Sequence, residues 1–392
     1  MSYQTVNPFN LRPIKKYESQ STKELEILLK KCDSAQREWR YSFRENACSA
    51  LLNLAEQLLA KKAMASQLMA EEMGKPVQQG VAEIEKCALC CQYYAENAPN
   101  FLESRGLFVS KIPAQIDYQA LGVILGIMPW NFPFWQVIRF AVPAIAAGNG
   151  VVVKHSPNTY GCGELLAEIF SKAGLPEDLY TNIQVKTDQV EKIIANPIIK
   201  GVSLTGSVKA GSAVGALAGK YIKPVVLELG GSNPFIVLED ADIDLALNTA
   251  IQKMQNSGQS CIAPKRFIIH KKWAGTFAEG IKKRLEDYQP GDPLLESTKM
   301  GPLARLDLAQ HLEEQVKKSI KKGAKEFLKP YRKDASFYPG ILTGVKPGMP
   351  AFDEELFGPV YAISEISSWE EARDLANNSH YGLGASVFTR NP

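Results

Sequence analysis

One thiol and one carboxylate carry the chemistry open to this chain. Asn256-Ser257-Gly258-Gln259-Ser260-Cys261 sets a cysteine in a glycine-containing segment that enters the apolar run Arg266-Phe267-Ile268-Ile269. Val225-Val226-Leu227 is a strand-like run ending on Glu228, and Leu229-Gly230-Gly231 follows. A thiol nucleophile and a carboxylate base on flexible backbone at strand ends are the minimum parts for chemistry through a thioester. The thiol needs a lowered pKa and donors for the charge its attack creates, one of which its own N–H can supply. Taken alone, Cys261 would more often be an inert core thiol, but Gly258, Gln259 and Ser260 argue against a purely apolar pocket. Glu228 alone is as readily a solvated strand-end residue. If the strand end desolvates it, its pKa rises, which suits a general base, and the diglycine allows close backbone approach by a ligand.

Three further segments could complete such a site. Pro129-Trp130-Asn131-Phe132-Pro133 follows an apolar strand, and its two prolines would fix the Asn131 amide in one orientation. A fixed amide N–H is the second donor an oxyanion hole wants; the plainer reading is a structural turn. Gly206-Ser207-Val208-Lys209-Ala210-Gly211 opens a helix directly after a strand, where free N–H groups and the helix dipole favour a pyrophosphate. It is not G-x-G-x-x-G, so the signal is weak. Lys154 ends Val151-Val152-Val153 and could reach a ribose hydroxyl, or simply be solvated. Glu354-Glu355-Leu356-Phe357-Gly358-Pro359 offers a carboxylate and an aromatic that could grip a ribose and flank a nicotinamide, or form a surface turn.

The elements that must position these residues alternate. Residues from about 22 to 103 read as helices, with Ala47, Leu51, Leu54, Ala55 and Leu58 at helical spacing and a stop at Gly74-Lys75-Pro76. Phe108–Ile112 and Gln115–Gln119 alternate apolar and polar residues, like an exposed hairpin. From 121 onward, strands at 123–127, 151–154, 182–185, 202–204 and 225–228 are separated by helices near 133–147, 160–173, 188–195 and 207–219. Such alternation predicts an α/β fold with doubly wound parallel sheets, whose ligands bind at the carboxyl ends of the strands. A second alternating set starts at Phe235-Ile236-Val237-Leu238, so the expected domains are 1–229 and 230–392. The sequence stops just after the strand-like Ser386-Val387-Phe388, where a domain rarely ends, so an incomplete last layer is expected.

With 392 residues, 45% hydrophobic and 22% charged, the chain has room for two cores. A net charge of +3, without Lys/Arg runs interleaved with aromatics, does not imply nucleic acid. No apolar run approaches the roughly 18 residues of a bilayer span. The first residues carry neither a basic nor an apolar signal region, so the cytosol is the expected compartment. Seven cysteines without framework spacing suggest free thiols. Cys87, Cys90, Cys91 and Tyr94 stand at i, i+3, i+4 and i+7, a helical stripe, and no metal site is expected.

Pro-Trp-Asn-Phe-Pro at 129–133, Val-Val-Lys at 152–154, Thr205-Gly206-Ser207 with Gly211, Glu228–Gly231, Gly258–Cys261 and Glu354–Pro359 occur in one order. In that order and spacing, from about residue 20 onward, the chain resembles the NAD(P)-dependent aldehyde dehydrogenases. Met128–Gln136, Lys154-His155-Ser156, Glu228–Phe235 and Tyr381–Val387 are most similar to the short bacterial succinate-semialdehyde dehydrogenases. The resemblance implies an aldehyde-dehydrogenase-like fold: a dinucleotide-binding domain over 1–229, an oligomerisation hairpin at 106–120 within it, and a catalytic domain over 230–392. It implies that Cys261 forms a thiohemiacetal with the aldehyde and then, after hydride passes to the nicotinamide, a thioester. Asn131 and the Cys261 N–H would hold the oxyanion, and Glu228 would activate the hydrolytic water.

The same resemblance puts Lys154 on the adenosine ribose, Ser207 on the pyrophosphate, and Glu355 and Phe357 on the nicotinamide riboside. It sets Trp130, Ser156, Pro157, Gly206, Gly211, Leu229 and Gly230 along the dinucleotide, and Phe134, Trp135 and Gln255 beside the substrate. Arg139, eight residues after Asn131, would grip a distal substrate carboxylate. Three departures qualify this. Pro157 stands where many NAD-selective members carry Glu, so no carboxylate would repel a 2′-phosphate and NADP is expected to be accepted as well as NAD. Gln255 stands where some succinate-semialdehyde enzymes carry Arg. Family members also continue well past Pro392, with a loop lining the substrate tunnel and a strand that pairs across the dimer or tetramer; without that strand the hairpin would expose its edges. The competing expectation is a truncated relative that binds dinucleotide without turnover.

Overall fold

A computed structural model describes residues 2–110 and 112–391; Lys111, in the expected hairpin, lies outside them. The chain divides into two compact units. The first takes the N-terminus to Thr5, Pro13–Met69 and Gly80–Glu228, and the second takes Val6–Arg12, Ala70–Gln79 and the chain from Leu229 on. The short piece before Gly80 joins the second unit through backbone: Val77 N–H donates to Pro293 O at 2.9 Å.

β1 (Ser2–Val6) and β2 (Pro13–Glu18) form a small sheet ahead of α1 (Thr22–Ala60). Ser21 and Glu24 close a capping box at the start of α1, which satisfies amides the helix itself leaves open. α2 (Lys62–Met73) and α3 (Val77–Phe101) follow, and β3 (Arg105–Val109) pairs antiparallel with β4 (Ile112–Ile116). The second strand of that hairpin therefore begins three residues earlier than its alternation suggests. Leu107 is half-buried and every other described residue of the two strands is exposed.

The main sheet comprises β5 (Val123–Ile127), β6 (Gly150–Lys154), β7 (Tyr180–Ile183), β8 (Ile199–Thr205) and β9 (Val225–Glu228), linked by α4 (Trp135–Ala146), α5 (Tyr160–Ser171), α6 (Val190–Ala195) and α7 (Val208–Lys220). Its spatial order is β7-β6-β5-β8-β9, with every pairing parallel. Connections leave β5 in one direction and return beside it as β8, so a topological switch point lies between these two strands. All five residues of β6 are buried, as a strand covered on both faces requires. β7 lies two residues before its expected position, pairing Tyr180–Ile183 with Val151–Lys154, and the buried Tyr180 ring stacks 3.9 Å from that of Phe170.

The second unit holds β10 (Asn233–Val237), α8 (Ile243–Gln252), β11 (Pro264–His270), α9 (Lys271–Leu285), α10 (Leu306–Lys321), β12 (Lys325–Leu328), β13 (Tyr331–Lys333), β14 (Ser336–Tyr338), β15 (Gly340–Thr343), α11 (Pro350–Asp353), β16 (Val360–Ile366), α12 (Trp369–Asn377) and β17 (Ser386–Phe388). Its sheet runs β12-β15-β16-β11-β10-β17, parallel except for the edge strand β12. Side chains alternate across this sheet. Phe235 and Phe267 face a core with Phe277 and Tyr361, while Ile236 and Ile268 face Ile366 and Ala372. Each such phenylalanine or isoleucine contributes about 1.5–3 kcal/mol by leaving water.

Candidate active site

In the first unit the loop after β5 is tied to the end of β6, where Met128 N–H donates to Lys154 O at 3.0 Å. Asn131 in that loop is 5% exposed. The helix it leads into starts with help from far away in sequence. Glu83 of α3, itself buried, accepts the N–H groups of Phe134 (3.0 Å) and Trp135 (2.9 Å) through one oxygen, Oε1. A carboxylate there satisfies two orphan amides and faces the positive end of the α4 dipole.

Arg139 projects from α4 toward the ends of β8 and β9. Its Nη2 donates to Thr205 Oγ1 at 3.2 Å and lies 3.5 Å from Glu228 Oε2. The Glu228 side chain is 41% exposed, a partly desolvated carboxylate, and the Arg139 guanidinium accompanies it. The pair borders a cavity of about 770 Å³ walled by Tyr93, Tyr94, Trp135 and Phe140. Lys86, one turn before Cys90 on α3, places its Nζ 3.9 Å from the Trp135 ring centre. Phe134, expected beside the substrate, is instead fully buried.

Lys154 ends β6 almost wholly buried, and that burial pushes its ammonium down from the ordinary lysine value. Its Nζ donates to His155 O at 3.4 Å. Ser156 gives its hydroxyl to Asn158 Oδ1 at 2.7 Å, and Pro157 opens a short 3-10 turn. Lys154 and Pro157 share a cavity of about 200 Å³ with Tyr17, Tyr160 and Lys186. Beyond β8, Gly206 N–H is taken by Glu228 O at 2.9 Å. Ser207 caps α7 by accepting Ala210 N–H at 3.3 Å, and Gly211 N–H returns to Ser207 O. The caps leave Val208 and Lys209 with no acceptor inside the helix.

In the second unit the backbone before Cys261 is strained. Asn256 (φ 54°), Ser257 (φ 55°) and Gly258 (φ 74°) are consecutive left-handed residues. Such conformations persist where the surroundings over-determine them, and they cluster at functional sites. Here Asn256 N–H donates to Gln79 Oε1 at 2.7 Å, Ser257 Oγ to Gly301 O at 2.8 Å, and Gln259 Nε2 to Asn256 O at 3.1 Å. Ala304 N–H holds Gln259 Oε1 from the other side. A Cβ at Gly258 would meet Gly358 O at 2.5 Å, so only glycine fits. Gln255, at the mouth of this turn, is exposed.

Cys261 follows, partly exposed, with its carbonyl receiving Asn233 Nδ2 at 2.6 Å. Cys32, Cys87, Cys91 and Cys162 are buried, and none of the seven cysteines forms a disulfide. Glu355 packs against the diglycine: its Oε1 accepts Gly231 N–H at 3.1 Å, and its carboxylate occupies the space a Cβ on Gly230 would need. Leu229 is half-buried beside them. Burial pushes Glu355 up from the usual carboxylate range, opposed by the charge of Lys265 and the Gly231 N–H. Lys265 is 1% exposed, donates to Gly258 O at 2.7 Å and lies 5.1 Å from the Phe357 ring centre.

Each unit thus gathers its own part of the expected set. Arg139, Trp135 and Glu228 share one cavity wall in the first, and Cys261, Gly230, Glu355 and Phe357 surround Lys265 and Asn233 in the second. Lys265, Asn233, Glu83 and Lys86 escape the sequence reading. The signal for Lys265 was a basic pair, Lys265-Arg266, standing inside an otherwise apolar strand.

A model of the aldehyde dehydrogenase family matches residues 1–392. The chain is 43% identical over 370 residues to a succinate semialdehyde dehydrogenase of the NAD(P)+ type from Escherichia coli (strain K12), covering 93% of this chain and 80% of that protein. It is 38% identical over 391 residues to a succinate-semialdehyde dehydrogenase of the NADP(+) type from Deinococcus radiodurans, covering 99% and 82%. A solved structure of succinic semialdehyde dehydrogenase from Streptococcus pyogenes in complex with NADP+ superposes with a TM-score of 0.96 at 32% identity, over 99% of this chain and 87% of that one. Lactaldehyde dehydrogenase from Escherichia coli gives 0.95 at 30% identity, over 100% and 83%. The order of strands around the switch point, the strained turn bearing a thiol and these matches over 93–100% of the chain agree: the chain belongs to the aldehyde dehydrogenase family.

Proposed function

We propose that this chain oxidises succinate semialdehyde to the dicarboxylic acid with NAD or NADP as hydride acceptor. The observation that carries the reading is Cys261, a partly exposed thiol entering a wholly buried strand from a turn whose strain is held by named hydrogen bonds. The names of the relatives support the substrate and the dinucleotide. The first unit's residues suit a dinucleotide: the start of α7 lies at the switch point, where first-turn amides receive a pyrophosphate. Buried Lys154 offers a cation to a ribose, and Pro157 brings no carboxylate against a 2′-phosphate.

A nicotinamide held there would supply the hydride acceptor. Cys261 contributes the sulfur that adds to the aldehyde carbon, giving a thiohemiacetal oxyanion that the Asn131 amide and the Cys261 N–H stabilise. Loss of hydride from that carbon leaves a thioester. Glu228 takes a proton from the water that then attacks the thioester, releasing the acid and restoring the thiol. Trp130, Ser156, Ser207, Leu229, Glu355 and Phe357 serve the dinucleotide, and Arg139 with Trp135 faces the distal carboxylate. Exposed Phe108 and Ile112 on the β3–β4 hairpin favour self-association, which sedimentation would measure. Seven cysteines without a disulfide favour the cytosol, to be checked by fractionation.

The test is turnover. Purified protein given succinate semialdehyde and either dinucleotide should generate the reduced-nicotinamide absorbance band, and the Cys261→Ala variant should not while still binding dinucleotide. Undiminished turnover by that variant would refute the mechanism.

A further inference from the structure

Lys265 is a buried cation that the reaction as written does not use. It stands at the second position of β11, four residues after Cys261, and is 1% exposed. Isolated ammonium groups are costly to bury, so one held this deeply has a compensating role. Its Nζ donates to Gly258 O at 2.7 Å, the carbonyl of the third left-handed residue in the turn. It lies 5.1 Å from the ring centre of Phe357. The titratable groups facing it are Glu355, on the segment before β16, and Cys261 itself. Glu355 gives one oxygen, Oε1, to the Gly231 N–H at 3.1 Å, and its charge and that of Lys265 act on one another.

We propose that Lys265 is a positioning residue for the nucleophile: it pins the turn through Gly258 and holds a positive charge behind Cys261 that favours the thiolate. A charge acts over a longer range in a dry interior than in water, so direct contact between the two groups is not required. Burial draws the lysine down to about 8. The ammonium therefore persists at neutral pH and is lost in mild alkali. The inference rests on Cys261 being the nucleophile.

The test reads the thiol and not turnover. Iodoacetamide alkylation of Cys261, followed by mass spectrometry of its peptide across pH, gives the midpoint of thiolate formation. In the wild-type protein that midpoint should fall clearly below the roughly 8.5 of an unperturbed cysteine. Lys265→Gln keeps a donor for Gly258 O but removes the charge; it should raise the midpoint by about one unit, close to a tenfold slower reaction at neutral pH. Lys265→Arg keeps the charge and should restore the wild-type profile. An ordinary wild-type midpoint overturns the proposal even if neither variant folds. So does a folded Lys265→Gln protein with an unchanged profile. A low midpoint in a wild-type protein that oxidises no aldehyde would sink the proposed function and leave the role of Lys265 standing.

Discussion

Replacing Glu83 tests whether a residue 51 positions away sets the start of α4, and with it the loop that carries Asn131. Both amides it receives, from Phe134 at 3.0 Å and Trp135 at 2.9 Å, end on the same oxygen. Glu83→Ala leaves two amides in a dry environment, at about 1–3 kcal/mol each. Glu83→Gln presents a carbonyl oxygen in the same place and gives up the interaction of charge with the helix dipole, about 0.3–2 kcal/mol. For a unit of this size each kcal/mol moves the melting temperature by about 2–4 °C. Glu83→Ala should therefore melt on the order of 10 °C lower by calorimetry, and Glu83→Gln about 3 °C lower. Activity should follow the same ranking, because a displaced Phe134–Trp135 start moves the Asn131 loop. Two variants that melt at the same temperature would refute the account, since the acceptor geometry would then contribute nothing beyond the charge.

Gly258→Ala puts a Cβ within 2.5 Å of Gly358 O on backbone with φ 74°, so it should destabilise the second unit by about 2–5 kcal/mol and slow alkylation of Cys261; a silent substitution would mean the turn is not held as described. His155 is fully buried and lowered by burial from 6.5 to about 3, so between those values the unfolded chain binds a proton that the folded one refuses. Stability should therefore fall by about 1.4 kcal/mol for each pH unit of acidification through that window, and urea titrations of His155→Phe should show a flatter pH slope than wild type. Arg139→Met should raise KM for succinate semialdehyde about ten- to hundredfold by removing a charged hydrogen-bond donor. An equal effect on an uncharged aldehyde of the same length would show that Arg139 serves Glu228 and not the substrate.

The sequence made the sheets legible where burial and strand coincide. Val151-Val152-Val153 could only be a strand covered on both faces, and all of β6 is buried. The loop bearing Asn131, the helix start at Ser207 and the thiol at Cys261 were legible because prolines, glycines and a polar cap mark chain reversals locally. What stayed hidden depends on contacts distant in sequence. Nothing near Glu83 says that its carboxylate caps α4, and nothing near Tyr180 says that the register with β6 starts there. The β1–β2 sheet leaves few residues to betray it, since only Thr5 and Tyr17 in those strands are buried. At Glu228 the strand end was legible, but the neighbouring Arg139 guanidinium cannot be read from an apolar run.

The turn before Cys261 shows how a fold can hold a reactive group more firmly than backbone preference allows. Glycine at 256 or 257 would remove the left-handed cost of about 1–2 kcal/mol per residue. It would also remove the side-chain bonds that fix the turn. Ser257 spends its hydroxyl on Gly301 O, and Asn256 gives its amide to Gln259 O at 3.3 Å. Each of those bonds is worth about as much as the strain it accompanies. Stability is then nearly indifferent between the two choices, whereas the number of backbone states open to the turn is not. A flexible glycine run would present the thiol in many orientations, while Asn256-Ser257-Gly258, clamped also by Lys265 through Gly258 O, presents it in one. For an attack that must meet a carbonyl carbon at a defined angle, that restriction is the quantity that matters.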